Sequence, residues 1–535
     1  MHHLRKITGA ASLFAFAVLW SNIWGQLRDS LSIALFNNQS YSAYNYALKI
    51  PFEAPQVIGV ALAAAMVPVL VELCKHGRSA EARKIADGIV VAMALILGPL
   101  ALAGALLSGP ILHIYYLGSS NPATLSQAIR LSRILFPYLM ISGVAGALAA
   151  ALQSFEQFRA LAFGQLIPNV VIVGSILLLH NRLGITGQAV GVVLGGVGYL
   201  ALVLGYYSRL KSGRRDGDHG SPAGAGTWWR LPAARAIALA MIPLLLIGLA
   251  DWIGSQLIVT RAVSWVARYQ SVDYKLFTTA MKTLQIPQGV FVAALSLVLL
   301  PYLSRRAASD DRSGLAAAAA EGMRLVLFAV APTVLVIGLL ALPILNILFV
   351  HGAYTPLMAH RSAPLIALMA PYVLLSSVGE VLIICLLALK RVWPLFLVQM
   401  LTLAASEALC VILARKAGLV GIAAAVTLIA LVNLVLLLSV VTRYLQFHEW
   451  KETSRFLAKL AVACAAIALW LAPFTRAFEH GGKLGVGRSL IEIVVGAVVS
   501  GIIFAGVSEA LGARQWILIR SSLWRRAEPA DAHGE

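Results

Sequence analysis

Charged residues are scarce in this chain, and acidic residues are scarcer than basic ones. Only 12% of the 535 residues are charged, with 23 Asp and Glu against 42 Lys and Arg, whereas 60% are hydrophobic. The mean hydropathy is +0.84. A soluble domain of this size has too little interior to hide so much apolar surface from water. The composition therefore excludes a soluble protein and predicts a membrane protein.

Residues that build catalytic, metal or nucleotide sites are also few or poorly placed. The four cysteines, at positions 74, 385, 410 and 464, lie far apart in or beside apolar runs, so neither a disulfide framework nor a metal site is predicted. The histidines are scattered, no Ser/His/Asp arrangement occurs, and the chain has no GxxxxGK[ST] phosphate loop. The sequence predicts neither an enzyme nor a bound cofactor, and without a nucleotide site any energy supply is expected to come from Na⁺, from H⁺ or from the membrane potential.

Long hydrophobic runs, in contrast, fill nearly the whole chain. A helix needs roughly 20 apolar residues to cross a bilayer. The first run, behind MHHLRK, could be taken for a signal peptide, but it has no convincing cleavage site and is interpreted as a span. The fold class predicted is an all-α polytopic membrane protein with about fourteen transmembrane helices, near residues 7–36, 40–73, 85–117, 126–153, 160–180, 184–210, 233–266, 272–303, 316–350, 362–389, 392–414, 418–445, 454–474 and 487–511.

The net charge of +19 is distributed unevenly between the loops. Dense Lys and Arg clusters occur in every second loop, for example around Lys75, Lys211 and Arg305, whereas the loops between them are poorer in positive charge. Positive loops stay on the cytoplasmic side during insertion, and they attract anionic lipids. Both termini are therefore expected to be cytoplasmic, and the positive charge predicts contact with membrane lipids and no nucleic-acid partner.

The spans contain an internal repeat. PQVIGVALAAAMVPVL at Pro55 resembles PQGVFVAALSLVLLPYL at Pro287, and GITGQA at Gly184 resembles GLVGIA at Gly418, with residue numbers that differ by 232 to 234. Two six-helix lobes related as parallel repeats are predicted, with the substrate site between them near the middle of the bilayer. The boundaries expected are 1–210 for the N-terminal lobe, 211–231 for a cytoplasmic linker, 232–446 for the C-terminal lobe, 447–512 for two extra helices and 513–535 for a cytoplasmic tail.

Several ionisable residues interrupt these apolar spans. A charge at the centre of a bilayer costs at least about 2.5 to 3.5 kcal/mol, so such a residue should face a partner or a wet cavity. Arg28 and Asp29 are adjacent, and because adjacent residues point about 100° apart on a helix, we expect them not to neutralise each other well. The alternatives are that both only mark the end of a span, or that each pairs separately with a neighbour. The candidates are Arg28, Asp29, Lys49, Glu53, Asp251, Arg261, Lys282, Glu380 and Glu407.

The motifs GQLRDSLSIALF, YALKIP and the long stretch from KTLQIPQGVFVAALSLVLLPYLSRR to ILFVHGAYT resemble the MurJ (MviN) lipid II flippases of the multidrug/oligosaccharidyl-lipid/polysaccharide exporter superfamily. The resemblance covers the full chain. It implies a cavity lined by cationic residues between two six-helix lobes, a groove for the lipid tail formed by the last two helices, and a monomer in the bacterial inner membrane. It also implies a role in peptidoglycan and cell wall biosynthesis, and hence in cell shape.

Carried over residue by residue, this resemblance assigns the cationic cavity. The Arg-Asp pair of the first helix falls on Arg28 and Asp29, the lysine before the proline step falls on Lys49, and the arginine of the eighth helix falls on Lys282. An arginine pair of the family is replaced here by Pro55 and Gln56, which opens the question of an altered substrate. Arg261 or Lys275 can supply the missing positive charge.

Some family members are thought to bind a cation among the seventh, eleventh and twelfth helices. The acidic residues available for such a site are Asp251 and Glu407, since hard cations favour carboxylate oxygens. A buried carboxylate paired with a nearby arginine or hydroxyl is the alternative for each.

Three functions are compatible with these residues. The first is a flippase that carries lipid II, an undecaprenyl-pyrophosphate-linked peptidoglycan precursor, to the outer leaflet by alternating access. The second is a flippase for another undecaprenyl-linked oligosaccharide, of the O-antigen or exopolysaccharide type. The third is a drug/cation antiporter of the same superfamily. The cations in the cavity favour an anionic substrate and so favour the flippases.

Overall fold

The computed structural model describes most of the chain. It covers residues 20–115, 122–155, 157–164, 166–212, 225–267, 272–285, 312–445, 450–480 and 485–517, together with Leu303 and Arg306. These residues are almost entirely helical and contain no strand, which confirms the all-α fold class. The proline motif at Pro287, most of the predicted linker and the predicted tail beyond residue 517 lie outside the described residues.

Nearly all of the described residues belong to α-helices. In chain order they are α1 (20–35), α2 (Asn38–Leu48), α3 (Ala54–Lys75), α4 (Ser79–Leu106), α5 (Ser108–Tyr115), α6 (Pro122–Leu135), α7 (Pro137–Ser154), α8 (Phe158–Gly164), α9 (Leu166–Leu183), α10 (Ile185–Ser212), α11 (Pro232–Trp252), α12 (Ile258–Val266), α13 (272–285), α14 (Arg312–Leu339), α15 (Ala341–Leu348), α16 (Pro356–Ala388), α17 (Val392–Tyr444), α18 (Trp450–His480) and α19 (Val486–Ala510).

Eleven helical segments within the described residues are long and apolar enough to cross a membrane. One of them, α17, has 53 residues and would extend about 80 Å if it were straight, far more than a bilayer of about 30 Å requires. Its backbone is not helical at Ala417 and Gly418, which divides it into two segments. Because the first and eighth predicted spans lie partly outside the described residues, the count of fourteen stays a prediction.

The chain packs as two compact units. The first comprises residues 1–275 and 351–354, and the second comprises residues 276–350 and 355–535. The core of the first unit joins α3, α4, α7 and α10 with the start of α11, where Ala234 and Ile237 are buried. In this conformation α11 and α12 thus pack with the first unit, although the sequence repeat assigns them to the second lobe. The lobe boundaries predicted from the repeat remain a prediction.

The end of the predicted linker is packed rather than uncommitted. Residues Ala225–Arg230 form a 3₁₀ helix, and the indole of Trp228 lies over Gly88 of α4 so closely that a Cβ atom at Gly88 would collide with it. The end of the predicted linker therefore packs against the first unit at Trp228. An aromatic ring at this point buries enough apolar surface to hold the entry to α11.

In the second unit, the last two helices pack on α14. Phe328 of α14 is buried with Phe456, Leu460 and Ala513, and its ring lies 4.8 Å from that of Phe504. A buried arginine, Arg324, forms ion pairs with Glu321 at 3.2 Å and with Glu452 of α18 at 3.4 Å. The two extra helices are thus attached to the second unit by a small apolar cluster with an ionic group at its edge.

The repeat is visible in two helix junctions with the same conformation. Gly184, between α9 and α10, has φ +55°, and Gly418, inside α17, has φ +57°, a left-handed conformation that glycine adopts without strain. Three residues later, a Cβ atom on Gly187 would lie 2.7 Å from the Leu179 Cβ, and one on Gly421 would collide with the Leu413 carbonyl oxygen. Both junctions are therefore tight turns that exclude side chains, as a duplicated segment would be.

Candidate substrate site

Arg28 lies in α1 at the centre of a polar cluster in the first unit. Its Nε donates to Asp29 Oδ1 at 3.1 Å, and its Nη2 lies 3.1 Å from the same oxygen. Its Nη1 donates to Asn169 Oδ1 of α9 at 3.0 Å, and Asn169 Nδ2 in turn donates to the Ser21 hydroxyl at 3.1 Å. The guanidinium is thus fixed by its neighbour in sequence and by a second helix. We call Arg28, Asp29, Asn169 and Ser21 the arginine cluster.

The expectation that Arg28 and Asp29 do not neutralise each other is wrong. The two side chains form an ion pair even though they leave the helix in different directions. The arginine side chain is long enough to bend back, whereas the Asp29 carboxylate stays near the backbone, so Arg28 Nε and Nη2 can reach the same oxygen. About a fifth of the Arg28 side chain remains accessible, with 22% exposed against 13% for Asp29. The pair is therefore reachable by a ligand.

A further hydrogen bond holds α1 beside the arginine cluster. Ser32, one turn after Arg28, donates to Gln188 Oε1 of α10 at 2.9 Å. Both Ser32 and Gln188 are buried, where a polar group costs free energy unless it is paired. This bond favours one rotation of α1 about its axis and hence one direction of Arg28.

Lys49 forms a separate polar cluster where α2 meets α3. Its Nζ lies 2.8 Å from Glu53 Oε1 and donates to Gln256 Oε1 at 3.0 Å. The other carboxylate oxygen, Glu53 Oε2, accepts a hydrogen bond from Trp252 Nε1 at 2.8 Å. We call Lys49, Glu53, Gln256 and Trp252 the lysine cluster. Its Lys49 and Glu53 side chains are 15% and 28% exposed, so neither is sealed from a ligand.

Both helices of the lysine cluster are irregular where they meet. Residues Lys49–Glu53 form a π-helical turn that contains Pro51, and Ile253–Leu257 form a second π-helical turn between α11 and α12. Proline has no N–H to donate, so it breaks the regular hydrogen-bond ladder and favours such a turn. The charged cluster therefore lies where two otherwise apolar helical segments are interrupted by π-helical turns.

The other predicted site residues lie elsewhere. Arg261 is half-buried in α12 of the first unit, and Lys282 is half-buried in α13 of the second unit. Lys275, considered as a replacement for a missing arginine, is fully buried, and its Nζ donates to the Phe36 carbonyl at 3.0 Å. Lys275 is therefore used within the fold. Pro55 and Gln56, where the resemblance implies an arginine pair, carry no charge.

The two acidic residues of the predicted cation site belong to different units. Asp251 is exposed in the last turn of α11, in the first unit, and Glu407 is half-buried in α17, in the second. Within the described part of the chain, no group of three or more His, Cys, Asp or Glu side chains is arranged to hold a metal ion. The cation site therefore stays a prediction.

Sequence reasoning missed four polar partners. Asn169 and Gln188 position the arginine cluster, and Gln256 and Trp252 complete the lysine cluster. Three of them are amides inside apolar runs, which is a usable signal because a buried amide needs a partner as a charge does. Ionisable side chains alone therefore gave an incomplete set of candidate site residues.

Comparison with known proteins identifies the family. The sequence model of the family described as "Lipid II flippase MurJ" matches residues 31–494. The chain belongs to this family. It is 24% identical to the "Probable lipid II flippase MurJ" of Bdellovibrio bacteriovorus over 97% of both chains. It is 25% identical to the protein of the same description from Vibrio cholerae, over 87% of this chain and 89% of that one. The resemblance inferred from sequence motifs is thereby confirmed.

Solved structures agree on the fold of the MurJ family. A structure described as "Lipid II flippase MurJ, inward closed conformation" superposes with a TM-score of 0.73 at 19% identity, covering 93% of this chain and 99% of that chain. An inward-facing multidrug resistance MATE family transporter superposes with a TM-score of 0.64 at 11% identity, covering 80% of this chain and 98% of the other. The chain is therefore a multi-pass membrane protein with the fold of these transporters.

Proposed function

We propose that the chain is a lipid flippase that moves lipid II from the cytoplasmic to the outer leaflet for peptidoglycan synthesis. The observation that carries this proposal is the match of the MurJ family model across residues 31–494. The pyrophosphate of lipid II needs donors that replace its hydration, and the accessible Arg28 guanidinium is such a donor. We place Arg28, Asp29, Lys49, Arg261 and Lys282 around the headgroup, with the protein acting as a monomer without catalytic chemistry.

The driving force belongs to the same proposal. An inside-negative membrane potential provides about 2.3 kcal/mol per elementary charge for every 100 mV. Such a potential favours the outward passage of an anionic headgroup and the return of an empty, positively charged cavity. Na⁺ or H⁺ bound at Asp251 and Glu407 is a further means of coupling. Both termini are placed in the cytoplasm, in accordance with the positive loops.

A second candidate substrate is another undecaprenyl-linked oligosaccharide. It is favoured by one observation: Pro55 and Gln56 stand where the resembling family carries two arginines, and Glu53 adds a negative charge close by. A site with fewer net positive charges suits a headgroup with fewer negative ones, and lipid II carries carboxylates besides its pyrophosphate. The same assay separates the two substrates.

The experiment is transport by the purified protein in liposomes with an imposed potential. Labelled lipid II and a labelled undecaprenyl-pyrophosphate glycan without carboxylates are supplied in parallel, and the rate of appearance in the opposite leaflet is measured. We expect lipid II to be moved at a rate that depends on the potential. Lys282→Arg should keep the rate, and Lys282→Ala should lower it about tenfold or more, because one charge-assisted contact contributes about 1.5 to 3 kcal/mol. Movement of the carboxylate-free glycan lipid alone would establish the second candidate instead.

A further inference from the structure

Lys49 does not present a free positive charge. Its ammonium lies 2.8 Å from Glu53 Oε1, and Gln256 Oε1 accepts a second hydrogen bond at 3.0 Å. An ammonium has three N–H donors, so two of them are directed at resident acceptors. Lys49 and Glu53 together carry no net charge, and a ligand that reaches Lys49 must first compete with the Glu53 carboxylate.

The Glu53 carboxylate is well placed to compete. It is four residues from Lys49 on the same turn, and its second oxygen is held by Trp252 Nε1 at 2.8 Å. A group tethered in this way acts at an effective concentration in the millimolar range or above. A singly charged ligand that replaces Glu53 exchanges one negative charge for another and gains little. A ligand with two or more negative charges brings more negative charge to Lys49 than Glu53 supplied, and it therefore binds more strongly than the carboxylate that it replaces.

We propose that Glu53 is a specificity-determining residue, a resident counter-ion that admits a pyrophosphate headgroup to Lys49 and rejects singly charged phosphodiester headgroups. The second class includes the anionic phospholipids that surround any membrane protein, so the headgroup of a rare substrate must be distinguished from an abundant competitor. Such discrimination requires an element that disfavours the wrong ligand, and a carboxylate beside the binding cation is one. This proposal rests on the proposed function, because it assumes that Lys49 contacts the headgroup.

The test measures the affinity for a fluorescent polyprenyl pyrophosphate in nanodiscs of neutral phosphatidylcholine, with and without phosphatidylglycerol. The full-length protein should bind the pyrophosphate with a Kd that phosphatidylglycerol raises less than about twofold. In Glu53→Gln the neutral amide keeps the size of the side chain but removes the competing charge. We expect its Kd for the pyrophosphate to be about threefold lower than that of the parent in neutral lipid, and to rise about tenfold when phosphatidylglycerol is added.

Two variants serve as controls. Glu81→Gln removes a carboxylate that pairs with Arg78 at 2.8 Å in the same unit, outside both clusters, and it should behave as the parent does. Glu53→Asp restores the charge and should restore resistance to phosphatidylglycerol. Resistance in Glu53→Asp combined with sensitivity in Glu53→Gln shows that the charge of residue 53 decides, because a purely structural role would not follow the charge.

The outcomes separate the two levels of the proposal. If the parent binds the pyrophosphate and Glu53→Gln is no more sensitive to phosphatidylglycerol than Glu81→Gln, the counter-ion proposal is wrong and the flippase proposal stands. If the parent does not bind the pyrophosphate at all, both are wrong. If Glu53→Gln does not fold, the double variant Lys49→Gln/Glu53→Gln replaces it. This variant should resist phosphatidylglycerol while binding pyrophosphate more weakly than the parent, and sensitivity in it would overturn the proposal.

Discussion

The arginine cluster and the lysine cluster each stabilise a cation within a membrane helix, but they do so in different ways. Arg28 extends from a regular helix, is paired with the adjacent Asp29, and is held by an amide of a second regular helix. Lys49 extends from a π-helical turn, is paired four residues away, and meets a second π-helical turn. The first cation is fixed in direction, whereas the second is a point charge among exchangeable acceptors.

The chemistry of the two side chains explains this difference. A guanidinium is planar with five N–H donors in a rigid fork, so it can hold Asp29 and Asn169 and still offer donors to an oxyanion. An ammonium with three donors, two already directed at Glu53 and Gln256, can accept a ligand fully only by releasing a partner. Arg28 is therefore expected to bind, and Lys49 to select.

The largest expected effect is at Arg28. Arg28→Ala should lower lipid II transport about tenfold or more, because it removes a charge-assisted contact of about 1.5 to 3 kcal/mol. Adding Asp29→Asn should not restore the rate, since the lost donors belong to Arg28 itself. Flipping in liposomes and the amount of folded protein in the membrane are measured together. Transport at the parental rate by a folded Arg28→Ala variant would remove the arginine cluster from the site.

A smaller loss of transport is expected at Lys49. Here, in contrast to Arg28, a second substitution of the paired carboxylate should restore part of the rate. Lys49→Ala should lower transport about fivefold, because it leaves the Glu53 carboxylate unpaired beside an anionic headgroup. Lys49→Ala/Glu53→Gln should recover part of this loss, to within about threefold of the parent, since the repulsion is gone but the contact that Lys49 makes with the headgroup is still missing. The same liposome assay compares the single and double variants. No recovery in the double variant would show that Lys49 acts as Arg28 does, and the comparison would fail.

The anchoring amide of the arginine cluster should have a moderate effect. Asn169→Ala removes a hydrogen bond to the charged Arg28 Nη1, and we expect transport to fall about threefold, corresponding to roughly 0.7 kcal/mol in the fixing of the guanidinium. Asn169→Gln should not substitute, because the extra methylene moves the amide oxygen. The Kd for polyprenyl pyrophosphate should change in parallel. An unchanged Kd together with slower transport would place Asn169 in the movement of the helices instead.

The smallest effect on transport is expected at Ser32. Ser32→Ala deletes the buried hydrogen bond to Gln188 and should lower the free energy of unfolding by about 1 kcal/mol. Thermal unfolding in detergent measures this loss, and transport at a temperature well below the transition should stay within about twofold of the parent. A transport defect as large as that of Asn169→Ala would mean that the rotation of α1 is as important as the anchoring of Arg28.

The features predicted well are those that depend on a pattern running along many consecutive residues. Hydrophobic runs placed the membrane helices. The segment Asn38–Lys75 and α10 agree within two residues with the predicted spans 40–73 and 184–210, whereas α16 begins earlier than its predicted span, at Pro356. Proline at the start of α16 and Thr355, whose hydroxyl accepts from the Met358 N–H, explain that earlier start. Polar residues at a helix end hide its true length from a hydropathy argument.

The features missed are contacts between distant residues. Lys49 and Gln256 lie 207 positions apart, and no local pattern couples them. The directions in which adjacent side chains leave a helix predict that Arg28 and Asp29 do not pair, but the length of the arginine side chain overrides those directions. The two π-helical turns, Lys49–Glu53 and Ile253–Leu257, were not predicted either, because the second contains no proline and the two turns lie far apart in the sequence.

The two glycine junctions have a mechanical consequence. At Gly184 and Gly418 a helix reverses with no spare residues, and Gly187 and Gly421 bring the returning helix against the outgoing one. Because these turns contain no additional residues that could change conformation, a rotation of one helix is passed on to the next. α9 and α10 should therefore move as one rigid body, and the two halves of α17 as another. A small tilt at one end of either pair then becomes a large displacement at the other end.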